Sequence, residues 1–146
     1  MTYNPNFVGI PPLARSVAAQ NAVNNTGSTI AQATPVKLTE TGMALIDVSV
    51  EADIDAIAGV TKAAVTDPGQ GEIVPGGIIE NISTTFNVGD AVYISKTGEL
   101  TNQKPTLGLN GFQSGDFMVR IGSIAKNTSN PLLKDLLVLI QIGGQL

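Results

Sequence analysis

Apolar and polar residues alternate along most of the chain. In residues 43–50, for example, Ile46 and Val48 alternate with Asp47 and Ser49, and a period of two residues is typical of a half-buried strand. Turn-forming residues interrupt the alternation about every 8 to 12 residues, as in all-β barrels and sandwiches. The predicted strands cover residues 34–42, 43–50, 59–65, 72–82, 91–95, 99–102, 117–125 and 135–144.

Two stretches depart from this period. Apolar residues keep helical spacing near residues 13–20 and near residues 51–58, which predicts a short helical turn in each. We therefore predict a mainly β protein, a small antiparallel β-barrel or sandwich with an extended N-terminal arm. The domain organisation that follows is an arm in residues 1–28 and a single barrel-like domain in residues 29–146.

The last predicted strand is apolar on both of its faces. Leu137 and Leu139 alternate with Leu136 and Val138, a pattern typical of a strand that is covered on both sides. Only 14% of all residues are charged, against roughly 25% in an average soluble protein. We therefore expect partner surfaces and a homo-oligomer. A monomer with an uncharged polar surface is the alternative.

The N-terminal arm has its own pattern. Pro5, Pro11 and Pro12 favour extended backbone, and the polar residues 24–29 interrupt the chain after them. Its apolar side chains require a surface to cover them, either on the same subunit or on a neighbour. A loose terminus is the alternative. The side chains predicted to bind the partner are Phe7, Val8, Ile10 and Leu13.

The best-defined local feature is a predicted hairpin in residues 86–100. It opens with a Gly-Asp turn, continues as a short strand and closes through a Lys-Thr-Gly connection. The tyrosine of the strand lies on the face opposite Val92, where it can anchor an interface or complete the core. The residues that define the hairpin are Gly89, Asp90, Tyr93 and Gly98.

Composition removes two of the residue types that enzymes use most often. The 146 residues include no Cys and no His, so thiol nucleophiles and histidine bases are absent. No two of the eight Lys and Arg residues are adjacent, so no basic stripe can follow a phosphate backbone. The most apolar stretch, residues 136–142, is far shorter than the roughly 20 residues of a membrane-spanning helix. We predict a protein that is not an enzyme and that binds no nucleic acid, membrane or cofactor.

Carboxylate chemistry is the remaining catalytic option. Asp53 and Asp55 would lie on one side of an extended strand, where they could share a divalent cation. Two carboxylates alone make a weak site, so a solvated pair is the preferred interpretation and we predict no metal. Asp90 and Asp116 each follow a glycine and are interpreted as turn residues. A small enzyme that uses carboxylates is the least favoured hypothesis.

About half of the chain resembles bacteriophage capsid decoration (cement) proteins. The resemblance lies in the hairpin and in the strand that follows it, and similar hairpins occur in virion fibre and baseplate modules. The C-terminal residues 130–146 have no clear counterpart in the cement family, so a fibre module stays open. The matching positions are Gly89, Asp90, Val92, Tyr93, Gly98, Leu100, Thr101, Ile121, Gly122 and Ile124.

The resemblance implies a structural role. A decoration protein is made in the bacterial cytoplasm and lies on the capsid exterior, often as a trimer that bridges major-capsid subunits and stabilises the shell. The implied partners are the major capsid protein and further copies of the chain itself. The alternative is a head- or tail-fibre or baseplate attachment module of the virion.

Overall fold

Ten β-strands and one short helix form residues 19–146, the part of the chain that the structure, a computed structural model, describes. The helix, α1 (Glu51–Asp55), lies between β3 and β4. This part of the chain is mainly β, as the alternation predicts. The strands are β1 (Gln20–Asn24), β2 (Pro35–Thr39), β3 (Gly42–Leu45), β4 (Ile57–Thr61), β5 (Gly69–Val74), β6 (Gly77–Ile82), β7 (Ala91–Ile94), β8 (Leu100–Thr101), β9 (Phe117–Lys126) and β10 (Lys134–Gln145).

The first five strands close into a barrel in the order β1-β3-β2-β4-β5. Closure depends on β1, which pairs with β5 along its whole length, from Gln20 opposite Ile73 to Asn24 opposite Gly69. At its other edge β1 runs parallel to β3. The barrel strands and their loops share a small apolar core of Ala22, Ile30, Val36, Met43, Val65 and Ile73.

The other five strands form a curled sheet in the order β6-β10-β9-β7-β8. Its long central strands, β9 and β10, pair from Lys126 opposite Lys134 to Phe117 opposite Gln145. A larger apolar core unites this sheet with the barrel. It combines Val60 of β4 with side chains of the sheet such as Leu136, so both sheets belong to one packed unit.

The predicted strand over residues 43–50 is shorter than expected, since β3 ends at Leu45. Polar side chains turn the chain there. Asp47 accepts hydrogen bonds from the backbone N–H and the hydroxyl of Ser49, while its own N–H donates to Asp53 Oδ2 at 2.9 Å. The alternation continues because Ile46 and Val48 still enter the core, on a bend that leads into α1.

The predicted boundary between arm and body, at residue 28, lies too far along the chain. Residues 20–24 form β1 and close the barrel, and the polar residues after them form an ordered turn. Asn24 is fully buried, and its side-chain amide donates to the carbonyl oxygens of Ser28 and Val65. Asn24, which the sequence pattern marks as an interruption of the chain, therefore ends a strand, and its side chain forms its hydrogen bonds within the protein.

Candidate interaction surfaces

The Gly-Asp turn of the predicted hairpin is a structural turn. Gly89 has a φ of +94°, which favours glycine, and its N–H donates to the carbonyl of Ile124 on β9. The Asp90 carboxylate accepts hydrogen bonds from the N–H of Asn87 and the amide of Asn102. These bonds, the backbone bond foremost, lower the pKa of Asp90. The turn therefore fixes the start of β7 against β9.

The tip of the hairpin packs against the barrel. Gly98 is buried and has a φ of +90°, and a Cβ at this position would lie 3.0 Å from the carbonyl oxygen of Ile46. Tyr93 stands opposite Thr101 and Arg120, and its strand neighbours, Val92 and Ile94, are fully buried. The predicted opposition of Tyr93 to Val92 is thus observed, with the tyrosine on the outer face.

An ion pair fastens the hairpin tip to the long loop between β8 and β9. Lys96 Nζ lies 2.7 Å from Asp116 Oδ2, and the Asp116 side chain is only 4% exposed. The same carboxylate accepts the N–H of Gln113 at 2.8 Å. The bond from Lys96 is the main cause that lowers the pKa of Asp116, and the bond from Gln113 adds to it. The sequence predicted only a turn residue here.

The two carboxylates considered for a cation do not form a pair. Asp53 is buried in α1, and its Oδ1 lies 2.5 Å from Lys37 Nζ, whereas Asp55 is exposed. The preferred interpretation, a solvated pair, is therefore wrong for Asp53. Within residues 19–146 no group of three Asp, Glu, His or Cys side chains could hold a metal ion. No helix in this part of the chain is long and apolar enough to cross a membrane.

The outer face of β6 and β10 is an exposed apolar surface. Leu136 and Val138 are buried in the core, so Leu137 and Leu139, which alternate with them, point outward and are 44% and 62% exposed. Leu137 stands opposite Ile78 of β6, which is 61% exposed. We call Ile78, Leu137 and Leu139 the β10 face. The sequence predicted that both faces of this strand are covered. Among the described residues, only the face with Leu136 and Val138 is covered.

A second apolar surface lies in the loop between β8 and β9. Leu107 and Leu109 are at least half exposed, although short backbone hydrogen bonds order the loop around them. Gly108 N–H donates to the Phe112 carbonyl, and Phe112 N–H donates to the Leu109 carbonyl. Phe112 is itself buried in the main core. The loop therefore presents two leucines to solvent from an anchored base.

A cleft of about 690 Å³ opens between the barrel and the curled sheet. The segment between β1 and β2 forms one wall and supplies mainly hydroxyl and small apolar side chains. The opposite side comes from the segment after β6 and from β8, with Leu45 at the end of β3. We call it the inter-sheet cleft. Its larger lining side chains are Leu45, Ile82, Phe86, Glu99 and Leu100.

The sequence-predicted site residues divide into two groups. The hairpin residues come together and serve the fold, as described above. The predicted partner-binding side chains of the arm lie outside the described residues: Phe7, Val8, Ile10 and Leu13. The β10 face was detectable as a doubly apolar strand, whereas no local signal marks the inter-sheet cleft. Comparison of the chain with protein-family models, curated proteins and solved structures found no significant match.

Proposed function

We propose that this chain is a structural protein of a bacteriophage virion that binds the outside of the capsid and stabilises the shell. Its partners are the major capsid protein and further copies of itself, arranged as a homotrimer. The observation that carries the proposal is the β10 face, because a contiguous exposed apolar surface on a rigid sheet is typical of a protein–protein contact. The resemblance of the hairpin region to decoration proteins selects the kind of partner.

The mechanism is binding and not catalysis. Complete burial of one Leu or Ile side chain contributes roughly 1.5 to 3 kcal/mol. A subunit that contacts two neighbouring capsid proteins adds such contacts across their joint, and the shell must lose these contacts before it opens. The anchored loop with Leu107 and Leu109 offers a second apolar contact, so one copy has surfaces for more than one neighbour.

The alternative is an attachment module of a fibre or baseplate. The C-terminal part of β10 favours it, because beyond Val138 this strand pairs with β9 alone among the described strands, and an unpaired strand edge can pair with an extended partner. Copy number separates the two functions. A decoration protein covers the capsid and is present in far more copies than a fibre component.

A charge on the β10 face tests the proposal. Leu139→Asp places a carboxylate on the β10 face at a side chain that is already 62% exposed, so the fold tolerates it. Leu132→Asp is the matched control, since Leu132 is 85% exposed in the turn before β10. We expect Leu139→Asp to weaken self-association at least tenfold, which corresponds to about 1.4 kcal/mol, and the control to have no effect.

The measurement is the mass of each variant over a dilution series by analytical ultracentrifugation, followed by its occupancy on particles that lack the wild-type protein. If Leu139→Asp assembles and decorates like the Leu132→Asp control, the β10 face is not a contact and the proposal loses its main support. A monomeric wild type at high concentration, together with isolated single copies on the particle, would contradict the homotrimer.

A further inference from the structure

The inter-sheet cleft has a charge that the described residues leave without a counterion. Glu99 is the single charged residue among those that line the cleft, and it is exposed. Thr97 donates a hydrogen bond to Glu99 Oε1 at 3.2 Å, but no described Lys or Arg forms an ion pair with this carboxylate. An occupant that carries one cation beside an apolar segment would therefore be complementary to the cleft in charge.

The rest of the cleft suits an extended, mostly apolar peptide. Phe86 and Leu100, which are only partly buried, supply apolar contacts, and the hydroxyl groups of Ser83 and Thr84 can bond a peptide backbone. The volume of about 690 Å³ falls within the roughly 300 to 1,000 Å³ that ligand pockets have. Several side chains of one extended segment fit into such a volume.

The N-terminal segment of the chain has this composition. Residues 7–13 contain four large apolar side chains and two prolines, and Arg15 is the only charged side chain in residues 1–36. The segment, with one apolar stretch and one cation, is thus complementary to a cleft with apolar walls and one carboxylate. The prolines favour an extended backbone, which lowers the entropy lost on docking.

We propose that residues 7–15 of one copy dock in the inter-sheet cleft of a second copy, with Arg15 beside Glu99. The inference rests on the proposed homo-oligomer and names the contact that links its subunits. Each copy donates one segment and offers one cleft, so the contact is head-to-tail and a ring of copies satisfies every cleft.

The position of β1 favours a second copy over the same copy. The cleft is lined from Thr26 onward, beyond the Asn24 end of β1, whereas the N-terminal segment joins β1 at Gln20. Arg15 is five residues from Gln20, a distance of at most about 18 Å. To reach the cleft of its own copy, the segment would first have to run back along β1 from Gln20 to the level of Asn24, which takes about 13 Å. Only about 5 Å of the chain between Arg15 and Gln20 would then remain to reach Glu99.

Cysteine cross-linking tests the contact directly, because the natural chain contains no Cys. Protein with Arg15→Cys is mixed with protein that carries Glu99→Cys and treated with a short bismaleimide. Each chain has one thiol, so a linked 15–99 peptide in the mass spectrum can form only between copies. Glu80→Cys replaces Glu99→Cys in the control, since Glu80 is also exposed but lies outside the cleft.

We expect the 15–99 link at a yield at least tenfold above the 15–80 link. The double variant Arg15→Cys with Glu99→Cys in one chain provides the second measurement. A 15–99 link that forms within the double variant and not in the mixture would mean that the segment docks on its own copy, and it would overturn the inference. Equal yields for positions 99 and 80 would overturn it as well, because the cleft would then have another occupant.

Charge reversal tests the ion pair. Arg15→Glu and Glu99→Arg should each weaken self-association about two- to fivefold, the usual effect of an exposed pair, and the two changes together should restore it. Glu80→Arg should have no effect.

The cross-linking and charge-reversal measurements use the isolated protein, so their outcome does not depend on whether the proposed function is right. A 15–99 link in a protein that is absent from virions would contradict the function alone, and a decorated particle without the link would contradict the inference alone.

Discussion

At the scale of single residues, polar side chains stabilise the loops that the apolar pattern leaves undefined. Asp116, Asp90 and Asp47 each accept a backbone N–H of a residue two or three positions away. The pKa of each carboxyl is lowered, chiefly by the bond from Lys96 at Asp116, by the N–H of Asn87 at Asp90 and by the Ser49 hydroxyl at Asp47. Asp116 differs because it is nearly buried and also pairs with Lys96. It therefore joins two segments that are 20 residues apart.

The first residue-scale prediction concerns Asp116 and pH. Its pKa is lower in the folded than in the unfolded chain, so its stabilising contribution is complete above the unfolded value of about 3.9 and is lost as the pH falls through the folded value. Asp116→Asn should cost about 1 to 3 kcal/mol at neutral pH, and its difference from wild type should shrink below pH 4. Thermal unfolding from about pH 7 to pH 2 measures both effects.

Asp55→Ala is the control for that series, because Asp55 is exposed on α1. It should follow the wild-type curve at every pH. If the curve of Asp116→Asn stays parallel to wild type down to the lowest pH, the Lys96–Asp116 pair does not cause the acid sensitivity.

The second residue-scale prediction separates backbone strain from steric overlap at two glycines of the hairpin. Both have a positive φ, so alanine should cost about 1 to 2 kcal/mol at each. A Cβ at Gly89 meets open space, whereas at Gly98 it lies 3.0 Å from the Ile46 carbonyl oxygen and 3.3 Å from Leu45 Cβ. Gly98→Ala should therefore cost about 1 to 3 kcal/mol more than Gly89→Ala. Urea unfolding of both variants, with equal m-values, measures the difference between their free energies of unfolding. If Gly98→Ala and Gly89→Ala lose the same free energy of unfolding, the hairpin tip does not pack against the barrel.

At the scale of elements, the sequence predicted well those strands whose local pattern is long. β9 and β10 together cover 22 residues of alternating or continuously apolar chain, and both were predicted close to their observed bounds. β1 was missed because its five residues include two Asn, and its strand conformation depends on distant pairing with β5. The inter-sheet cleft was equally hidden, since its two walls come from segments that are nearly 50 residues apart in the chain.

The element-scale prediction follows from the corrected position of β1. A truncation that removes residues 2–18 should leave a body that still unfolds cooperatively. It should self-associate at least tenfold more weakly, because the docking segment is lost. A truncation of residues 2–25 should not fold, because it removes the strand that closes the barrel and exposes the small core.

Circular dichroism and thermal unfolding check the two truncations. The shorter truncation also tests the predicted role of the arm. If it assembles and binds particles like the full chain, then the arm is a loose terminus and its four apolar residues contact nothing. If the longer truncation folds cooperatively, β1 is dispensable to the barrel and the revised boundary is wrong.

At the scale of the whole molecule, two sheets on a shared core form a body with an apolar outer face, an apolar loop and a cleft. The barrel and the curled sheet share one core, so forces on one sheet are transmitted to the other. A rigid body with several separate contact surfaces can bridge neighbouring subunits of a shell, because each contact keeps its position relative to the others.

The most direct test of the proposed function is a cryo-EM reconstruction of phage particles purified from a host that expresses the gene for this chain. If the chain is a decoration protein, we expect density for this fold on the capsid exterior, in hundreds of ordered copies grouped in threes across joints between major-capsid subunits. The β10 face or the loop with Leu107 and Leu109 should lie in the contacts. Density at a fibre or baseplate in tens of copies, or particles without the protein, would contradict the assignment to the capsid.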